Sequence, residues 1–484
     1  MKKLFLLSAL TLSMSIAAVA QTAAQEADQT LDLNQYGQKV ASVPVNAQVQ
    51  DGILVFQNKE ANYKMWFDVR IQGDAAVYFG APDFCAKEID GKWNNSHIGS
   101  GMNIRRSRFA VKAQLDNNWY GEIDTDWTSG TPELKDAILA FTGVEGLEIK
   151  AGNFKENFSI QRNTTSRYLM FMERAMVTGL APSRHLGINA RYANKWFWGS
   201  FGVFGPELKS SEEMTFMEDG NKDYGYNEGL SYTGKIVFRP FYKSTTSSLH
   251  IGGAVSYREP KLSSTDGYFM GRYSARNSTS INRKKYLDTD DVKGLDHELA
   301  WTAELAGHWN QLRYETAYIA RGMYLDPAKN TADYAKQTQW AEGWYAQASW
   351  LLFGGTQNYD SNGAKYTRTT SEREWGNLEV AFRYEYCDFN TGKLFSHSIA
   401  DSGILGGSAE AYTVGLNYYP TKNVKFVINW QYNNNDRYAN QKGKSYVGYD
   451  LNGNPTKDPN KVVAPDGKGG VDYQMVSVRF QVAF

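Results

Sequence analysis

Beyond residue 60 the hydrophobic positions fall on a period of two. Tyr63, Met65, Phe67, Val69 and Ile71 alternate with Lys64, Asp68, Arg70 and Gln72, with Trp66 out of phase. Phe109 to Leu115 alternate with Arg108, Lys112 and Gln114. The same period runs through Leu230–Phe238, Leu378–Tyr386, Val424–Tyr432 and Val476–Phe484. Weaker repeats begin near residues 119, 134, 147, 186, 196, 249, 299, 312, 340 and 409. The total is about 16 segments, each close to the 9–11 residues that an oblique strand needs to cross a bilayer. A soluble sandwich would also alternate. Here, however, nearly every polar face carries Arg, Glu or Asp, and aromatics gather near strand ends as a membrane girdle would.

The connections alternate in length. With both termini on the inner side, the outer connections span about 79–103, 128–133, 154–185, 205–229, 258–297, 321–339, 387–408 and 433–472. The inner ones span about 116–118, 142–146, 193–195, 240–248, 310–311, 353–377 and 420–423. Two depart from the pattern: 128–133 is short and 353–377 is long. The expectation is an all-β fold, a transmembrane antiparallel β-barrel of about 16 strands, with 18 as the alternative count. The terminal Arg479-Phe480-Gln481-Val482-Ala483-Phe484 fits a last strand ending in an outward aromatic.

Composition narrows the classes. The mean hydropathy of −0.53 excludes a bundle of transmembrane helices. Two cysteines exclude a disulfide scaffold or a Cys-rich metal array. Lys2-Lys3, the apolar run Leu4–Ile16 and Ala18-Val19-Ala20 read as a secretory signal peptide over residues 1–20. Its removal takes two lysines from the 52 basic residues and leaves a slight excess of acid, so a nucleic-acid partner is not expected. Residues 21–60 read as a periplasmic extension, weakly helical over about 24–40, and 61–484 as the barrel. Cys85 and Cys387 could pair after export, but two unrelated thiols is the simpler expectation.

Several ordered blocks resemble the phosphate-selective porin O and P family. They run from Ile104-Arg105-Arg106-Ser107-Arg108-Phe109 through Glu133-Leu134-Lys135-Asp136-Ala137 and Ile149 to Phe158. They continue with Ser166-Arg167-Tyr168, Phe171-Met172-Glu173-Arg174, Leu180-Ala181-Pro182-Ser183-Arg184, Gly343–Gln347 and Trp375–Ala381. The resemblance implies an outer-membrane homotrimer of 16-stranded barrels, each pore narrowed by an inward-folded third outer loop and lined by an arginine ladder. Carried over, it places Arg106 and Arg108 on the polar face of the second strand, with Arg105 on the other parity. It assigns Arg162, Thr164, Thr165, Ser166 and Arg167 to the third loop, Arg162 and the hydroxyls at the narrowest part.

The residue chemistry supports anion handling independently. Arginine stays charged at any working pH and offers a planar fork of donors, while hydroxyls replace lost water contacts. Segment 154–195 holds Lys155, Arg162, Arg167, Arg174, Arg184, Arg191 and Lys195 against Glu156 and Glu173. Arg106, Arg108, Lys112, Arg162, Thr164, Thr165, Ser166, Arg167 and Arg174 are therefore the candidate pore residues. Segment 258–285 is also basic, with seven basic residues against Glu259 and Asp266. Against this, Glu122, Asp124 and Asp126 share the polar face of the third strand, and Asp288, Asp290 and Asp291 load the fifth outer loop. A general or mildly anion-preferring pore is the expectation, rather than a strict phosphate filter.

No histidine lies in H-E-x-x-H spacing, since His297-Glu298 has Trp301 in the second position. Gly467-Lys468-Gly469-Gly470 lacks phosphate-loop spacing. Asp450-x-Asn452-x-Asn454 has Pro455 where a calcium loop needs Gly. No cofactor, metal or enzymatic activity is expected. The reading is passive diffusion of small hydrophilic solutes, phosphate or other anions among them, across an outer membrane whose lipid surrounds the barrel. A non-conducting scaffold for a surface or periplasmic partner is the alternative.

Overall fold

The computed structural model describes residues 31–79, 87–89, 92–94, 99–205, 229–242, 247–260, 270–276, 278–281, 285–289, 291–326, 338–392, 394–395, 404–436, 448–449, 455–456 and 473–484. Sixteen antiparallel strands close one ring: β1 (Lys64–Phe79), β2 (Gly101–Leu115), β3 (Trp119–Asp126), β4 (Glu133–Val144), β5 (Leu147–Lys155), β6 (Arg184–Ala193), β7 (Phe197–Phe204) and β8 (Ser231–Phe238). The second half is β9 (Ser247–Arg258), β10 (Leu295–Trp309), β11 (Leu312–Leu325), β12 (Gln339–Leu351), β13 (Asn377–Gly392), β14 (Ile404–Tyr419), β15 (Val424–Asp436) and β16 (Tyr473–Ala483). β16 closes onto β1 from Gln474↔Phe79 to Ala483↔Arg70. Beyond that register Val69 N donates to Phe484 O at 2.6 Å. Closure satisfies the backbone groups that an open edge would expose to lipid.

Burial is inverted relative to a soluble protein. Along β16, Ser477, Arg479 and Gln481 are buried, whereas Val478 and Phe480 are more than 40% exposed. The apolar parity therefore faces outward and the charged parity inward on every turn of the pleat. Exposed Trp119, Trp196 and Trp309 lie beside the short 116–118, 193–195 and 310–311 connections, and Trp350 and Trp375 flank the long 353–377 connection of the same rim, forming an aromatic belt there. Those connections are tight because Asp116, Asn117 and Asn310 adopt left-handed φ values of 49°, 56° and 48°.

One local expectation needs correcting, and two further hairpins lie outside the regular strand pattern. The weak helix over 24–40 is not found where that span is described. Leu31–Leu33 and Lys39–Ala41 pair as a hairpin, and Asn34 Oδ1 accepts from Tyr36 N and Gln38 N at 3.0 and 2.9 Å. That local side-chain bond competes with helical hydrogen bonding. Next, residues 45–58 form a second hairpin whose inner strand pairs with β1 from Val55↔Trp66 to Gln57↔Lys64. It occupies the edge of β1 below the point where β16 ends, so the extension is continuous with the barrel wall. Finally, the long 353–377 connection carries its own hairpin, Tyr359–Asp360 with Lys365–Tyr366, whose two tyrosines are buried.

Candidate functional site

Segment 156–183, between β5 and β6, is held by polar-face side chains from far around the ring. Arg313 of β11 donates to Tyr168 O (3.2 Å), Lys425 of β15 to Leu169 O (2.8 Å) and Asn417 of β14 to Met170 O (2.9 Å). Arg479 of β16 donates to Met172 O, and Arg383 of β13 to Glu173 O (2.9 Å). In the other direction, Ile160 N and Met176 N donate to Glu304 of β10 and Glu385 of β13 at 2.7 and 2.6 Å. Phe158, Val177 and Leu180 pack with Tyr273, Ala275, Leu287 and Val292 of the fifth outer connection. Inward charges of β10, β11, β13, β15 and β16 are thus engaged with loop backbone.

Most inward charges of β1–β6 are left to line a cavity of about 550 Å³. Its wall holds nine basic side chains, Arg70, Arg108, Lys112, Lys150, Lys155, Arg167, Arg184, Arg191 and Lys365. Six carboxylates share it: Asp68, Glu122, Asp124, Asp136, Glu148 and Asp360. Most are cross-linked. Lys112 reaches Asp68 (2.8 Å) and Glu122 (3.4 Å), Arg108 reaches Asp126 (3.2 Å) and Asp124 (3.5 Å), and Arg184 clasps both oxygens of Asp136 at 3.0 and 2.9 Å. Arg70 differs. It donates to Ser166 Oγ (2.8 Å), its buried Nε has no partner, and no carboxylate pairs with it among the described residues. Lys155 likewise forms no ion pair among the described residues.

The candidate residues separate into two groups. Arg108, Lys112, Thr165 and Arg167 line the cavity, and Ser166 orients Arg70. Arg167 pairs with Asp68. By contrast, Arg162 donates to Thr178 O and Ala181 O (2.6 and 2.9 Å), and Arg174 to Gln161 O and Thr164 O (2.5 and 2.6 Å). Both guanidiniums brace the loop's own backbone, and Thr164 is fully buried. Arg106 is buried against Gln72 (2.7 Å) and Glu173 (3.3 Å).

Arg105 joins Arg106 on Glu173, its Nε 2.8 Å from Oε1, despite its opposite parity. The pairing of β1 with β2 steps from Gln72↔Arg106 to Gly73↔Ile104, so Arg105 is the extra residue of a β-bulge, which re-aims its side chain. Burial pushes the Glu173 carboxyl up, but the guanidiniums of Arg106, Arg105 and Arg479 outweigh it and hold the group well below the usual carboxylate range.

The 359–366 hairpin completes the site from the side of the short connections. Trp198 Nε1 donates to Asn362 O (2.8 Å), His250 Nδ1 lies 2.7 Å from Tyr359 OH, and Tyr359 and Tyr366 pack with Ile160. Lys365 reaches the cavity. A second, much smaller cavity of about 30 Å³ lies beyond Arg167 and Tyr168, which line both.

Arg70, Lys150 and Lys365 are absent from the candidate set. Arg70 was legible as a polar-parity residue of the first strand, opposite Arg108. Lys365 had no such signal, because its position depends on an irregular connection folding back. Cys387 is buried with a free thiol, and Cys85 lies outside the described residues, as do Asp290 and the Asp450 motif.

The family model for phosphate-selective porin O and P matches residues 85–452, three quarters of the chain. The chain belongs to that family. It is an outer-membrane porin of a Gram-negative bacterium, which accounts for the inverted barrel. Porin O of Pseudomonas aeruginosa is 22% identical over 91% of this chain and 95% of its own length. An uncharacterized protein of Caulobacter vibrioides is 24% identical over 69% of this chain, a match spanning 63% of that relative. Among solved structures, the anion-selective porin from Comamonas acidovorans aligns at a TM-score of 0.48 and 11% identity, covering 87% of this chain and 100% of that one. The outer-membrane channel DcaP of Acinetobacter baumannii aligns at 0.47 and 12%, covering 89% and 99%.

Proposed function

We propose that this porin lets small hydrophilic solutes diffuse passively through its lumen with a moderate preference for anions. The observation that carries the reading is the cavity wall, where nine bases face six carboxylates and, among the described residues, Arg70 and Lys155 form no direct ion pair. An anion entering exchanges water for guanidinium and ammonium donors, held weakly enough to leave. The lining chemistry resembles that expected of a relative of Porin O, but the six carboxylates favour general anion traffic over a strict phosphate filter. In this reading segment 156–183 is the constricting third loop, residues 1–20 are an export signal, residues 21–60 face the periplasm and three copies assemble.

The test is planar-bilayer recording of the purified protein in a KCl gradient, with phosphate and organic-anion competition. A reversal potential of anion-selective sign supports the proposal. A cation-selective sign rejects the preference. The absence of conductance favours the scaffold alternative, which the division of the lumen at Arg167 and Tyr168 keeps in view.

A further inference from the structure

We infer that the cavity is a bipolar subsite that takes solutes bearing both an ammonium and an anionic group, such as small amino acids, in preference to uncharged molecules of the same size. The inference rests on the channel reading above and names its solute class.

Two incompletely satisfied poles, one acidic and one basic, share one cavity. Ligand oxygens of Glu122, Asp124 and Asp136 lie within 4.8 Å of one another on β3 and β4. Asp136 is clasped by Arg184, and Glu122 accepts from Tyr120 OH (2.5 Å) and pairs with Lys112 (3.4 Å). Among the described residues Asp124 forms one ion pair, with Arg108 at 3.5 Å through Oδ2. Its Oδ1 is buried without a partner, in a residue 6% exposed. On the same cavity, among the described residues, Arg70 carries an unpartnered buried Nε and Lys155 forms no direct ion pair. A simple anion satisfies the second pole but meets Asp124. A simple cation does the reverse. A zwitterion answers both, and about 550 Å³ is ample for one of amino-acid size. The excess of bases disfavours solutes with net positive charge.

The experiment is swelling of proteoliposomes containing the full barrel, in isosmotic alanine or lactamide. These are isomers of equal size, zwitterionic and uncharged respectively. Alanine enters about threefold faster or more, the scale of one weak, partly hydrated ion pair at each pole. Asp124→Asn brings the alanine-to-lactamide ratio toward one, whereas Asp116→Asn, in the exposed 116–118 turn, does not. Equal entry of the isomers overturns the inference while leaving the channel intact. A ratio unmoved by Asp124→Asn, or calcium block that depends on Asp124 without any alanine preference, also overturns it, the latter in favour of a divalent-cation site. If lactamide itself fails to enter, the channel reading fails first, and the inference with it.

Discussion

Arg70→Gln is the most direct probe of the anion preference, because its guanidinium forms no direct ion pair among the described residues and feels Asp68 and Asp124 only at longer range. The substitution keeps a donor toward Ser166 Oγ, 2.8 Å away, and removes one positive charge from the wall. For a monovalent anion passing about 6 Å from the guanidinium, Coulomb's law gives about 0.7 kcal/mol in bulk water and about 3 kcal/mol at an effective dielectric of about 20. Screening at about 0.1 M salt, where the Debye length is about 10 Å, roughly halves both figures. The chloride-to-potassium permeability ratio should therefore fall about two- to tenfold. The assay is the zero-current potential across a planar bilayer in a KCl gradient, repeated at high total salt, where screening should shrink the difference. Arg313→Gln is the comparison: Arg313 is engaged with Tyr168 O and Glu315, and its loss should shift the potential less. A permeability ratio unchanged in Arg70→Gln, in a correctly folded barrel, would refute the claim that uncompensated charge on β1 sets the preference.

Four further outcomes are expected. Glu173→Gln leaves Arg105 and Arg106 without a carboxylate and weakens the loop's anchorage by about 3 kcal/mol, the low end for breaking a buried pair. It should raise both single-channel conductance and anion selectivity; a wild-type conductance trace would argue that the backbone bonds alone hold the loop. Gly152→Ala places a Cβ 1.9 Å from Ala137 O at φ +127°, so it should cost about 2 kcal/mol or more and lower the temperature at which the barrel shifts mobility on a gel. Burial pushes the Glu156 carboxyl up, but bonds from His185 and Thr233 and the charge of Arg258 hold it at about 2. A depressed carboxylate contributes stability above its ordinary value of 4.5 and loses it as pH falls toward about 2, so conductance should be flat from neutrality to about pH 5 and change below 4.5. A transition between pH 7 and 5 would assign the switch to another group. Arg162→Ala plus Arg106→Ala should increase current noise more than it alters selectivity, since both guanidiniums brace the loop; a large selectivity loss without added noise would return them to the filter.

The barrel was legible because the lipid imposes one rule on every strand. A parity that must be apolar outside and hydrated inside writes itself as a period of two, and the weak repeats near 119, 134, 147 and 312 begin within a residue of true strands. The same rule marked Arg108 and Lys112 as inward. It misplaced Arg105, because one inserted residue reverses parity locally, and nothing in Arg-Arg-Ser-Arg distinguishes a bulge from a regular pleat. It also left the loop arginines undivided. Arg162 and Arg167 are equally basic in sequence, yet one caps carbonyls of its own loop and the other faces the cavity.

Compartment, family, an approximate strand count and the inward or outward sense of most strand residues were readable from the chain, because those follow from local periodicity and a uniform solvent on each side. Which inward charges remain available depends on how the folded chain packs into the lumen. The backbone of segment 156–183 takes its hydrogen bonds to the wall from β10, β11 and β13–β16, and that choice leaves most charges of β1–β6 to the solute. Whether a guanidinium binds backbone, a carboxylate or water depends on what lies within about 3 Å of it, a distance set by chain segments hundreds of residues apart.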